Sequence, residues 1–377
     1  MTADVMTGTG RTRPPAGPPA PAGLPRLIPA GPRPDPGLAG HLARLGPLAY
    51  PGRPGQLIAE IEAAGLTGRG GAAFPVYRKL AAVTGAARHG ARGRVVVVAN
   101  GAEGEPASGK DRSLLWLAPH LVLDGLQLAA AAAEASRAYL YAPGDPALVA
   151  HLLQALAQRR AAGLDRLAVE LEQAPDVFLA GEESALVSWI SGGPARPGFK
   201  QPPVFERGVD GRPTLVQNVE TLAHLALIAR YGARWFRAAG TPAEPGSMLC
   251  TVQHADATTQ IIEAELGAPL PAILPGLAEP GADHREAGRG GGRETVQAVL
   301  CGGYHGAWLE PARAARLSLS NASLRPAGSF AGAGVLAALP TSRCGLAETA
   351  RVARYLALES AGQCGPCLLY TSPSPRD

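Results

Sequence analysis

The chain has 377 residues, 46% hydrophobic and 18% charged, with a formal net charge of +4 at pH 7. That length can build two or three domains with their own cores, and a small charge surplus without an aromatic-laced basic stripe leaves no case for a nucleic-acid partner. No window approaches the roughly 18 uninterrupted apolar residues of a membrane span, and prolines and arginines stand where a signal peptide needs an apolar segment.

Residues 1–50 are dominated by Pro, Ala, Gly and Arg and are expected to be a largely disordered leader. Residues 58–64 have the pattern of a short helix. It delivers the run Gly65-Leu66-Thr67-Gly68-Arg69-Gly70-Gly71-Ala72-Ala73-Phe74-Pro75, with Lys79 just beyond. Glycines at this density allow a tight turn and bring bare N–H groups against a ligand. Arg69 and Lys79 add cations suited to an anion such as phosphate. An isolated run of this kind is by default a flexible loop, and both the Walker spacing and the G-x-G-x-x-G order are absent.

Residues 95–99 are a continuous β-branched and apolar run, expected as a buried parallel strand. At its C-terminal end, where open α/β sheets place ligands, comes Asn100-Gly101-Ala102-Glu103-Gly104-Glu105-Pro106, closing on Lys110-Asp111-Arg112. Residues 114–137 read as an apolar helix interrupted near Pro119, and 138–141 as the next strand. An amphipathic helix is expected over 147–162, ending in Arg159 and Arg160, with further strands at 167–172 and 177–180. Gly181-Glu182-Glu183 then precedes a helix over 184–190. Two carboxylates there are ordinary cap and dipole partners, or ligands for sugar hydroxyls. The alternation of strands and helices is that of a doubly wound α/β domain.

Residues 242–246 mark a boundary. Short strands at 248–253, 261–265 and 296–301 suggest a small second domain, interrupted by a Gly- and Arg-rich insertion over 279–294. From Gly345 apolar residues recur at helical spacing through Leu356. Of five cysteines, Cys250, Cys301 and Cys344 stand singly and only Cys364 and Cys367 form a spaced pair, which argues against a disulfide framework. Residues 368–377 look like a non-native tail.

The two loops after residues 65 and 100, Gly181-Glu182-Glu183-Ser184-Ala185-Leu186, and Gly211-Arg212-Pro213-Thr214-Leu215-Val216-Gln217-Asn218-Val219-Glu220-Thr221 occur in the order of a known family. From about Gly55 to Cys367 the chain resembles the 51-kDa, F-type FMN- and NADH-binding subunit of respiratory complex I, and the diaphorase subunits of NAD-linked hydrogenases and formate dehydrogenases. The resemblance implies a Rossmann-like FMN/NADH domain over 51–241, a β-grasp soluble-ligand-binding domain over 242–312, and a helical iron–sulfur-type region over 313–367. It implies an NADH dehydrogenase (quinone)-type enzyme that takes hydride from NADH onto FMN and passes single electrons to an iron–sulfur acceptor. Implied partners are a small [2Fe–2S] ferredoxin-like subunit and a larger electron-transfer complex, with a cytoplasmic location, peripheral at the membrane through those partners.

By the same resemblance, Gly68, Arg69, Gly70, Lys79, Asn100, Glu103, Gly181, Glu182 and Asn218 hold FMN, with Lys79 on its phosphate. Phe74, Glu105 and Glu183 serve NADH, Glu183 repelling a 2′-phosphate. Cys364 and Cys367 stand for two ligands of a [4Fe–4S] cluster. Several positions depart from the family pattern: Ala102 replaces Asp, Gln217 replaces Asn, Ala82 replaces an aromatic wall, and Ala361 replaces a cluster cysteine. Lys200 lies in a similar proline-rich loop but matches only loosely. These departures keep two alternatives open, a flavin diaphorase without a cluster and a non-catalytic scaffold derived from the family.

Overall fold

The computed structural model describes residue 20 and residues 23–31, 34–48, 50, 54–86, 95–199, 201–277 and 295–363. Cys364, Cys367, Lys200 and the insertion expected over 279–294 therefore lie outside the described residues.

The first sheet is built from β1 (Val96–Asn100), β2 (Arg137–Pro143), β3 (Val169–Ala174) and β4 (Thr214–Asn218), all parallel, in the order β3-β2-β1-β4. Alternate residues of β1 face opposite ways, and both faces are apolar. Val97 and Ala99 join Leu140 and Leu215 on one face, while Val96 and Val98 join Tyr139, Tyr141 and Val216 on the other. This explains the unbroken β-branched run: a strand covered on both sides has no polar face to show.

Eight helices accompany this sheet: α1 (Leu38–Leu45), α2 (Pro54–Ala64), α3 (Val76–Ala86), α4 (Lys110–Leu117), α5 (Pro119–Ala132), α6 (Pro146–Ala161), α7 (Glu183–Ile190) and α8 (Val219–Phe236). The apolar stretch expected as one interrupted helix is thus two, α4 and α5, bent by 97° at the break. Among the described residues no single helix is long and apolar enough to cross a membrane. Helices α5 and α8 approach so closely that a Cβ on Gly125 would run into the backbone carbonyl of Leu222. Gly125→Ala should therefore destabilise the fold by about 3 kcal/mol through overpacking, read as a lowered urea midpoint. A loss below about 1 kcal/mol would show that the two helices can part freely.

The second sheet holds β5 (Ser247–Gln253), β6 (Thr259–Glu265), β7 (Val296–Cys301), β8 (Ala307–Leu309) and β9 (Val335–Pro340), in the order β6-β5-β9-β7-β8. Short helices α9 (Leu270–Ile273), α10 (Pro311–Ala314) and α11 (Asn321–Leu324) connect them, and α12 (Gly345–Leu358) follows.

Three local expectations need correction. Residues 178–181 form a 3-10 turn instead of a strand, closed by Ala180 N–H on the Val177 carbonyl and Glu182 N–H on that of Leu179. The described residues of the region expected over 313–367 are not simply helical. The buried run of β9 inserts between β5 and β7, where its apolar faces meet the second core. Arg159 stands in the last turn of α6 as expected and is fully buried, because Asp124 and Asp165 both pair with it. The leader is partly docked: Leu27 is fully buried, and the Glu263 carboxylate accepts from the N–H groups of Arg26 and Leu27 at 2.6 and 2.8 Å. Prolines disfavour regular structure without preventing this docking, because the acceptor comes from β6 of the second sheet.

Candidate nucleotide-binding cleft

The chain runs β1, β2, β3 outward on one side and then returns to place β4 on the far side of β1. The loops leaving β1 and β4 consequently diverge, and the crevice beyond their C-terminal ends is the usual ligand position of such sheets. The register sets Asn100 opposite Asn218 on that edge.

Both asparagines are tightly held. Asn100 donates Nδ2 to the Gly181 carbonyl at 2.9 Å and accepts from Ala102 N–H at 3.2 Å. Asn218 caps α8 by accepting from Glu220 N–H at 3.0 Å, and donates Nδ2 to the Asp111 carboxylate at 2.7 Å. A Cβ at Gly181 would come within 2.7 Å of the Ala102 carbonyl, so only glycine lets these loops touch without rearrangement. The glycine-rich run closes on itself through Gly68 N–H to the Phe74 carbonyl, and Arg69 N–H donates to Thr221 Oγ1 at 2.8 Å. Gly70 lies directly over Asn218.

The resulting cleft of about 280 Å³ is lined by Arg69, Gly70, Asn100, Glu103, Glu105, Gly181 and Asn218 among the residues expected from sequence. Their side chains play unequal parts. The Arg69 guanidinium is 4% exposed and donates to the carbonyls of Thr67, Ser247 and Pro245, so its charge ties the glycine run to β5. Glu103 accepts from Asp111 and Arg112 N–H at 3.1 Å each, capping α4. Glu182 caps α7 through Ser184 and Ala185 N–H. Glu105 accepts from Ala107 N–H and, across the joint, from Tyr304 N–H at 2.9 Å; burial moves its carboxyl above the ordinary value, against those two bonds.

Lys79, Phe74 and Glu183 lie in a neighbouring slot of about 210 Å³ with Arg78, Ala82, Pro203, Val204 and Phe205. Lys79 Nζ pairs with Glu183 Oε1 at 3.0 Å, with both side chains a third or more exposed. Gly68 lines neither space and supports the turn.

Sequence reasoning missed the floor and the roof of the cleft. Beneath it Lys110, 1% exposed, pairs with Asp111 at 2.6 Å and Glu220 at 2.8 Å. One buried cation serves two carboxylates. Burial and the charges of Glu103 and Glu220 push the Asp111 carboxyl well above its ordinary value against the pull of Lys110, while Lys110, His224 and Arg69 hold Glu220 below its own in spite of burial. The loops after β7 and before β9 supply Gly302, His305, Phe330 and Gly332 as the opposite wall. The signal available for that wall was the glycine-rich run Gly302-Gly303-Tyr304-His305-Gly306; its Gly303 has no room for a Cβ beside the Glu105 carboxylate.

Residues 61–227 match the family model described as the Nuo51 FMN-binding domain. The F-type component of the NADH-quinone oxidoreductase of Rickettsia typhi is 30% identical over 322 residues, covering 82% of this chain and 73% of the relative. The chain belongs to the family of 51-kDa, F-type subunits. The mitochondrial NADH dehydrogenase [ubiquinone] flavoprotein 1 of Dictyostelium discoideum is also 30% identical, over 82% of this chain and 65% of its own length. A chain of an NAD+-reducing [NiFe]-hydrogenase, solved in its H2-reduced state, superimposes with a TM-score of 0.71 at 31% identity. That match covers 84% of this F-type chain and 52% of the hydrogenase chain, so the present sequence spans about half of that relative.

Proposed function

We propose that the chain is an FMN-dependent, NADH-oxidising electron-transfer subunit. The observation that carries this reading is the convergence of Gly70, Asn100, Gly181 and Asn218, from four separate segments, on one cleft at the switch point between β1 and β4. The cleft suits a flavin nucleotide. Phe178, Phe330 and Ala333 offer apolar walls, and Asn100, Asn218 and the Glu103 loop offer polar edges. The N–H groups of Gly70 and Gly71 and the N-terminus of α8 suit a phosphate. Neither Arg69 nor Lys110 has a free charge for it, since both are consumed internally.

Bound there, FMN would supply the hydride acceptor and the step from two-electron to one-electron transfer. The chain's own groups bind, orient and shield: Asn100 and Asn218 fix the cleft's polar edge, Glu105 lies at its mouth, and the 302–305 and 330–333 segments cover it. The slot of Phe74, Lys79 and Glu183 would seat the adenosine end of the dinucleotide, Phe74 giving an aromatic face for the base. We read the five-stranded sheet as the β-grasp unit, α12 as the entry to an iron–sulfur-type region, and Cys364 and Cys367 as two of its ligands. Electrons would leave to an iron–sulfur acceptor within a larger complex, through a ferredoxin-like partner.

FMN uptake tests the reading. One FMN should bind per folded chain, measured by quenching of flavin fluorescence. Asn218→Ala should weaken binding about 10-fold and cost about 1 kcal/mol of stability, as a lost cap and a lost polar contact. Folded protein that takes up no flavin would overturn the assignment.

A further inference from the structure

A carboxylate that contacts a ribose 2′-hydroxyl rejects a 2′-phosphate only while its charge is free to repel, and a nearby arginine reverses the preference. Glu183 is only partly free here, because Lys79 Nζ lies 3.0 Å from its Oε1 in a pair whose two side chains are each a third or more exposed. Arg78 lines the same slot one residue earlier on α3, with an exposed side chain. Its guanidinium is steadied by the neighbouring Tyr77, donating Nε to the phenol oxygen at 3.1 Å and lying 5.8 Å from the ring centre. Among the described residues Arg78 makes no ion pair within 4.0 Å, and the Glu62 carboxylate acts on it only from farther away. The slot therefore offers two cations against one carboxylate. Its walls are apolar and aromatic: Phe74, Pro203, Val204, Phe205, Leu215 and Val216. Ala82 stands one helical turn after Arg78 and contributes little bulk between the charges and those walls.

We propose that Arg78 makes this slot accept a nicotinamide dinucleotide bearing a 2′-phosphate on its adenosine ribose, alongside the unphosphorylated form. The proposal rests on the reading of the slot as the adenosine seat. Base stacking on Phe74 or Phe205 would anchor either dinucleotide, and the planar fork of Arg78 would meet two phosphate oxygens, a geometry that lysine cannot reproduce. Glu183 remains available to the sugar hydroxyls through its second carboxylate oxygen.

The test is calorimetric binding of ADP-ribose and of 2′-phospho-ADP-ribose to the full chain, which needs neither flavin nor turnover. The two dissociation constants should lie within about 10-fold of one another, and Arg78→Ala should raise the ratio of phosphorylated to unphosphorylated constants by at least about 10-fold. Arg78→Lys should restore part of that ratio. Circular dichroism confirms that each variant is folded. Tight ADP-ribose binding with the phosphorylated ligand weaker by more than about 100-fold, or a ratio indifferent to Arg78, would overturn the proposal while leaving the adenosine seat intact. Failure of both ligands to bind folded protein would overturn the seat itself and the proposal with it.

Discussion

Lys110→Met should lower stability by about 3–5 kcal/mol, because it strips the cation from two buried carboxylates instead of removing a surface pair. Lys110 and Glu220 are 1% and 0% exposed, and Asp111 is 5% exposed. Two consequences separate this loss from ordinary core damage. Glu220 also accepts from Leu249 N–H at 2.9 Å, so the joint between α8 and β5 should loosen along with the floor of the cleft. Asp111 would no longer be held for Asn218, and flavin uptake should fall in step. The pH dependence has a definite sign. Orphaned buried carboxyls have raised pKa values and bind protons more readily folded than unfolded, so the variant's deficit should shrink as pH falls from about 7 to about 5. Urea titrations at the two pH values measure this. A deficit below about 1 kcal/mol, or one that grows on acidification, would show that the carboxylates are not dependent on Lys110.

Asp124→Ala carries a comparable expected cost, about 3–5 kcal/mol, in a region away from the cleft. The carboxylate binds His41 at 2.9 Å, Arg159 at 2.9 Å and Arg230 at 2.6 Å. Removing it leaves Arg230 buried without its acid and releases α1, which His41 fastens to α5. Burial would raise the Asp124 carboxyl, but the hydrogen bond with His41 and the surrounding charges hold it at about 2. A depressed carboxyl contributes stability that is complete above its unfolded pKa. In the wild type, about 2 kcal/mol should therefore vanish as pH falls from about 4 to about 2. Asp124→Ala should lack that acid-sensitive component. Equal acid sensitivity in variant and wild type would remove Asp124 as its source.

Much of this arrangement was visible in the sequence because its signals are local. A run of four valines and an alanine has few alternatives to a central strand, and the asparagines at the ends of β1 and β4 are read directly from their motifs. The hidden parts depend on distant partners. Nothing near Lys110 reveals that Glu220, on α8, will share its charge. Arg159 reads only as a helix end until Asp124 and Asp165 are folded around it. The alanines of β9 suit helix and strand alike, and only the gap between β5 and β7 decides. Glu183 is legible as a carboxylate beside a helix, whereas its pairing with Lys79, which alters its meaning, belongs to the fold.

If this cleft brings a dinucleotide hydride to a flavin, NADH alone must reduce the flavin it holds. This is tested most directly by loading the full chain with FMN and titrating it anaerobically with NADH while following the flavin band at about 450 nm. Bleaching should be complete at about one equivalent of NADH per bound flavin, since hydride transfer moves two electrons. Stoichiometrically bound flavin that stays oxidised in excess NADH would contradict it.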